Sequence, residues 1–161
     1  MLLKATRFVA VMLAALTLAL SFCHLMQLPS RMGWDQYLWV GLTVQGGLYA
    51  MFGSVGAMID VACVIVLVLL AYFVREHGRP GFALASIAAL LFALGLVLWW
   101  VLVYPVNVEF AKWVNGPVPA DWTDYRSRWE WGHAIIAAVE LIGFAALVAS
   151  VLADTPRDSS S

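Results

Sequence analysis

Charge is scarce in this chain. Of 161 residues, 9 are Lys or Arg and 10 are Asp or Glu, 12% in all, against 63% hydrophobic residues and a mean hydropathy of +0.88. A domain that dissolves in water needs far more polar surface than that, so a soluble fold is excluded. No run of basic residues is present to meet a phosphate backbone, and the net charge is −1, which sets nucleic acid aside as a partner. Cysteine is scarce too. Cys23 and Cys63 stand alone with no C-x-x-C, which argues against a membrane thiol–disulfide enzyme and reads as two buried small hydrophobes. Internal repeats are absent, which argues against a repeat-built transporter.

What is present is long apolar sequence. A bilayer-spanning helix needs about 20 mainly apolar residues, and the stretches 8–28, 49–74, 82–104 and 131–153 qualify. Lys4 and Arg7 before an apolar run look like a secretory signal. The run is long, however, and Leu20-Ser21-Phe22-Cys23 has no small residue before the cysteine, so the first segment is read as a retained span. The short loop Arg75-Glu76-His77-Gly78-Arg79-Pro80, with His77 solvated, makes spans two and three antiparallel neighbours.

These features predict an all-α fold, an antiparallel bundle of four transmembrane helices with an outer interfacial helical and aromatic cap. Residues 1–153 form one membrane domain and 154–161 a polar cytoplasmic tail. Lys4 and Arg7 have no acid nearby, whereas Arg31, Lys112, Arg126 and Arg128 are interleaved with Asp35, Glu109, Asp121, Asp124 and Glu130; with Arg75, Arg79 and Arg157 on the side of Lys4, both termini are placed in the cytoplasm.

The most informative stretch is Pro119 to His133, which runs directly into the last apolar segment and reads as one helix with Asp121 as N-cap. At about 100° per residue, Trp122, Arg126, Trp129, His133, Ala137 and Glu140 share one side. A polar stripe entering an apolar segment needs partners that lipid does not offer, so the other helices must supply them. On span one, His24, Gln27 and Arg31 share a face, and Pro29 is expected to bend or end the helix. A projecting helix with a bend at Gly46-Gly47 is expected before span two. Asp60 in span two and Glu140 in span four come out at similar depth, about 15 Å below Tyr49 and about 10 Å below His133 by helical rise. Span three is expected to leave the membrane through Tyr104-Pro105-Val106-Asn107-Val108-Glu109. All 8 tryptophans fall in the outer half or outer loops, an excess over an ordinary two-sided belt that suggests an aromatic cap where His24, Arg31, Asn107, Arg126 and His133 converge.

Taken together, His24-x-x-Gln27-x-Pro29, Gln45-x-x-x-Tyr49, Pro105-x-Asn107 and Asp121-Trp122-x-x-x-Arg126-x-Arg128-Trp129-Glu130-x-x-His133 resemble the anthrone oxygenase-like family of small four-helix membrane proteins. The likeness covers nearly the whole chain, and its last motif is the most specific. It implies a multi-pass protein of the bacterial inner (plasma) membrane, and oxygenation of polycyclic anthrones without a known cofactor. At the position of Gln27 it implies an acid, which this chain lacks.

Three chemistries stay open. In the first, an oxygenase or oxidoreductase acts on a lipid-soluble aromatic such as a quinol or anthrone. His24 or His133 is the base, Arg126 and Arg31 stabilise the phenolate or enolate, Trp122 and Trp129 stack on the rings, and Gln27 and Asn107 help bind, with no cofactor. In the second, the two histidines hold a haem, or a metal together with Asp60 or Glu140. In the third, the protein is a non-catalytic accessory subunit docked on other membrane subunits, with Asp60 and Glu140 as hydrogen-bonding glue.

Overall fold

The computed structural model describes residues 1–47, 49, 51–76, 78 and 80–153; His77, Arg79 and the tail at 154–161, including Arg157, lie outside the described residues. Helix α1 is Leu2–Met32, a short α2 is Gln36–Val40, α3 is Ala57–Val74, α4 is Gly81–Leu98, α5 is Tyr104–Trp113 and α6 is Trp122–Ala153. No strand occurs among the described residues.

Four helical segments are long and apolar enough to cross a bilayer: Leu2–Met32, Phe52–Val74, Gly81–Trp113 and Trp122–Ala153. Between 22% and 33% of each apolar window is buried inside the bundle, so most of each apolar surface faces outward, as bilayer immersion requires. Helix α1 packs on α3 and α6, and α4 packs on the same two, giving a ring in which every neighbour runs antiparallel.

Two prolines sit inside continuous helical structure. Helix α1 continues through Pro29 to Met32. The third span does not leave helical structure at Tyr104; a wider π-helical turn at Trp99–Val103 absorbs the backbone mismatch at Pro105, and α5 carries the helix on to Trp113. The chain before span two is a short helical element whose Trp39 and Val40 are buried in the aromatic end of the bundle. The Asp35 side chain accepts the Leu38 N–H at 2.8 Å to start α2, a π turn at Gly41–Gln45 extends it, and Gly47 takes a positive φ of 63° at the bend.

The core has two halves. Toward the end that holds both Leu2 and Ala153, small and aliphatic side chains interlock: Ala10, Ala14, Cys63, Leu67, Ala85, Ala88, Phe92 and Leu147. Here Gly143 lets α6 approach α4, because a Cβ would sit 3.1 Å from Leu91 and from the Phe92 ring. At the opposite end the core is aromatic, with Trp39, Phe110, Trp113 and Trp129 buried and Trp34, Trp99, Trp122 and Tyr125 packed around them. Trp100 and Trp131 stay outside this cap, exposed on the bundle surface.

Candidate functional site

Between these halves, α1 and α6 meet through a ladder of polar contacts. The buried face of α1 is Ala10, Ala14, Thr17, Ser21, His24, Leu28 and Arg31, a repeat at helical spacing. Three of those residues meet α6. The Ser21 hydroxyl donates to a Glu140 carboxylate oxygen. The His24 ring stacks on the His133 ring, with centroids 4.2 Å apart and planes 12° from parallel. Arg31 Nε donates to Glu130 Oε1 at 2.6 Å. Because the helices are antiparallel, rising numbers on one side meet falling numbers on the other.

Arg31 is fully enclosed, and its donors are spent inside the protein. Nη1 donates to the Tyr49 hydroxyl at 2.7 Å and Nη2 to Thr43 Oγ1 at 2.8 Å. Trp39 Nε1 donates to the same Glu130 oxygen at 2.7 Å, and the guanidinium lies 4.9–5.6 Å from the ring centres of Trp34, Trp39, Tyr49 and Trp129. The cation is thus matched by one carboxylate and four ring faces, the compensation a buried charge needs. Tyr49 in turn donates to Gln27 Oε1 at 2.7 Å, and Gln27 Nε2 donates to Cys23 Sγ at 3.2 Å. Burial pushes the Tyr49 phenol above its ordinary pKa of 10.0, so it is a neutral donor at physiological pH.

A cavity of about 280 Å³ opens beside this ladder. Its walls include His24, His133, Trp129, Asn107 and Tyr49, and its far end holds Thr17, Ser21, Asp60 and Glu140. Among the described residues no lysine or arginine lines it. Arg31 is tied to it by hydrogen bonds to the Thr43 and Tyr49 hydroxyls, both of which line the wall. His24 is 4% exposed and its Nδ1 has no hydrogen-bond partner, a cost normally avoided unless a ligand or water completes the bond. Space at the acidic end depends on Gly95, where a Cβ would come 3.1 Å from Glu140 Oε1.

The residues singled out in the sequence divide into three groups. His24, His133, Asn107, Trp129, Asp60 and Glu140 line the one cavity. Gln27 and Arg31 stand behind its wall, linked to it through Tyr49 and Thr43. Arg126 and Trp122 do not line it: Arg126 Nη1 donates to the Trp34 carbonyl at 2.8 Å, and its guanidinium lies 4.7 Å from the Trp122 ring centre. They brace the cap. Asn107 accepts from Trp129 Nε1 at 2.8 Å, which fixes the indole edge-on to both imidazoles.

Sequence reading missed Glu130, Trp39 and Thr43 as parts of this assembly. Glu130 lies one position off the aromatic stripe of α6, yet its i, i+3 relation to His133 was a usable signal. Glu130 and His133 also stand in Glu-x-x-His spacing, which di-iron helices use twice, with two further glutamates; here Glu130 is committed to Arg31 and Trp39. Among the described residues no group of three or more His, Cys, Asp or Glu side chains has metal-holding geometry. Imidazoles stacked at 4.2 Å leave no slot between them for a porphyrin plane.

No family model, curated protein or solved structure matches the chain.

Proposed function

We propose that this multi-pass membrane protein binds a lipid-soluble aromatic molecule of the quinol or anthrone kind in the cavity beside the histidine pair and oxidises or oxygenates it. The observation that carries this reading is the His24–His133 stack in the wall of the cavity, with a buried, unpartnered imidazole nitrogen on His24. Trp129 and Tyr49 offer ring contacts to a planar guest, and the stacked rings confine it on a third side.

The chemistry asked of the residues is modest. His24 accepts a proton from the acidic CH₂ or phenolic OH of the substrate, and its neighbour His133 shares the resulting charge. The Thr43 hydroxyl, accepting from Arg31, is polarised to donate to the substrate oxygen, a role that stabilises an enolate in a dry site, while the Tyr49 O–H stays committed to Gln27. For an anthrone, the carbanion takes up O₂ and loses water, so that CH₂ plus O₂ becomes C=O plus H₂O. The resemblance to anthrone oxygenase-like proteins agrees with this reading.

Both termini are assigned to the cytoplasmic side of a bacterial inner membrane. Support comes from charge: Glu130 pairs with Arg31 and Glu109 with Lys112 at 2.7 Å at the opposite end.

The test is oxygen consumption by the purified protein in lipid nanodiscs with 1,8-dihydroxyanthrone as substrate. The reading expects saturable O₂ uptake that His24→Ala abolishes. Uptake no faster than in empty nanodiscs, together with no saturable binding of the anthrone, would remove it.

A further inference from the structure

A second cavity, of about 360 Å³, abuts the first and has five lining residues in common with it: Phe52, Gly53, Asp60, Leu96 and Trp99. Its other walls are Ala57, Val61 and Trp100. Val61 and Trp100 are 49% and 62% exposed on the apolar outside of the bundle, so the second cavity reaches the surface that lipid covers. A Cβ built on Gly53 would meet nothing within 4 Å, which marks open space where the two cavities join. Both flanking segments depart from regular helix at this level, with π turns at Phe52–Gly56 and Trp99–Val103, so the helices are locally wider on either side of the opening.

We infer that this lateral cavity is the seat of a hydrocarbon tail, and that the ligand of the histidine-lined cavity is therefore a tailed aromatic whose ring lies beside His24 and whose alkyl chain leads back through the gap between α3 and α4 into the bilayer. The inference rests on the ligand reading above and narrows its class. Among the described residues Asp60 is the only ionisable one lining the second cavity, and it stands at the junction. A polar ring substituent can hydrogen-bond there, whereas the space beyond it is bordered by Ala57, Val61, Leu96 and the indoles and offers apolar contact. A molecule dissolved in the membrane reaches the site sideways without crossing water.

The experiment compares two probes, 1,4-naphthoquinone and 2-decyl-1,4-naphthoquinone, titrated into proteoliposomes with quenching of tryptophan fluorescence as the readout. Trp99 borders both cavities and is the internal reporter. Concentrations are expressed per mole of lipid, which removes the partitioning advantage of the tail. Wild-type protein is expected to bind the decyl compound at least tenfold more tightly. Ala57→Phe and Val61→Phe, each filling the second cavity alone, should cut that advantage below threefold and leave the tail-less probe within twofold. Two positions are used so that one misfolded variant, detected by circular dichroism, does not decide the matter. Tight binding of both probes with no tail advantage in the wild type, or an advantage unchanged in the folded variants, overturns the tail assignment alone. Failure of both quinones to bind the wild type overturns the ligand reading together with it.

Discussion

Arg31 and Glu130 lie 99 residues apart in sequence and share a 2.6 Å hydrogen-bonded ion pair from which solvent is wholly excluded. The pair joins α1 to α6 at the aromatic end and holds the Tyr49 and Thr43 hydroxyls in the cavity wall. Its role is positional, since neither charged group lines the cavity.

Removing one partner of such a pair strands the other. Glu130→Ala leaves the Arg31 cation uncompensated, and the expected loss of stability is about 3–5 kcal/mol. The double replacement Arg31→Met with Glu130→Leu should recover most of it. Thermal or SDS-induced unfolding of the reconstituted protein measures both, and a single variant as stable as wild type would contradict the finding.

The histidines and Arg126 should separate cleanly. His24→Ala is expected to lower turnover of 1,8-dihydroxyanthrone by about 10²–10⁴-fold, the usual contribution of a positioned base. Arg126→Ala removes a bond to the Trp34 carbonyl and a contact with Trp122. It should lower the unfolding temperature and leave turnover within a few-fold. Steady-state O₂ uptake beside a melting curve distinguishes the two effects.

Close helix approach makes Gly143 intolerant. Gly143→Val places atoms against Leu91 and the buried Phe92 ring, already 3.1 Å from a bare Cβ, and should cost about 1–3 kcal/mol by overpacking. Gly41→Ala, where a Cβ meets nothing within 4 Å, is expected to be neutral or to stabilise by about 0.5–1 kcal/mol. Unfolding midpoints of the two variants give the comparison.

Tyr49 predicts an alkaline signature. Its phenol has a raised pKa in the folded protein, chiefly through burial, so the folded state holds that proton more tightly than the unfolded chain does. The stabilisation it provides is complete below the unfolded value of 10.0 and declines as pH rises through the folded value. Phenolate absorbance should therefore show one tyrosine titrating late in the wild type and absent in Tyr49→Phe. That variant should also lose less stability between neutral and strongly alkaline pH.

Much of this was legible in the sequence because it is local. Four apolar runs of sufficient length fix four helices, short connections fix antiparallel neighbours, and helical periodicity puts Trp129, His133 and Glu140 on one side of α6. The aromatic cap followed from where the tryptophans stand along the chain. Pro29 and Pro105 are accommodated within helices for local reasons too. One sits near the end of its helix, where few backbone bonds remain to lose, and the other follows a π turn that makes room for it.

What the chain order alone determined was therefore which side of each helix is polar and roughly how deep each polar group sits. The tertiary structure decided the pairings: Glu130 with Arg31, His24 with His133, Ser21 with Glu140, and Arg126 turned to the cap carbonyl of Trp34. Periodicity is a property of one helix, whereas a pairing depends on the rotation and axial offset of two helices. Those are set by packing summed over the whole interface, including the glycines that let backbones close.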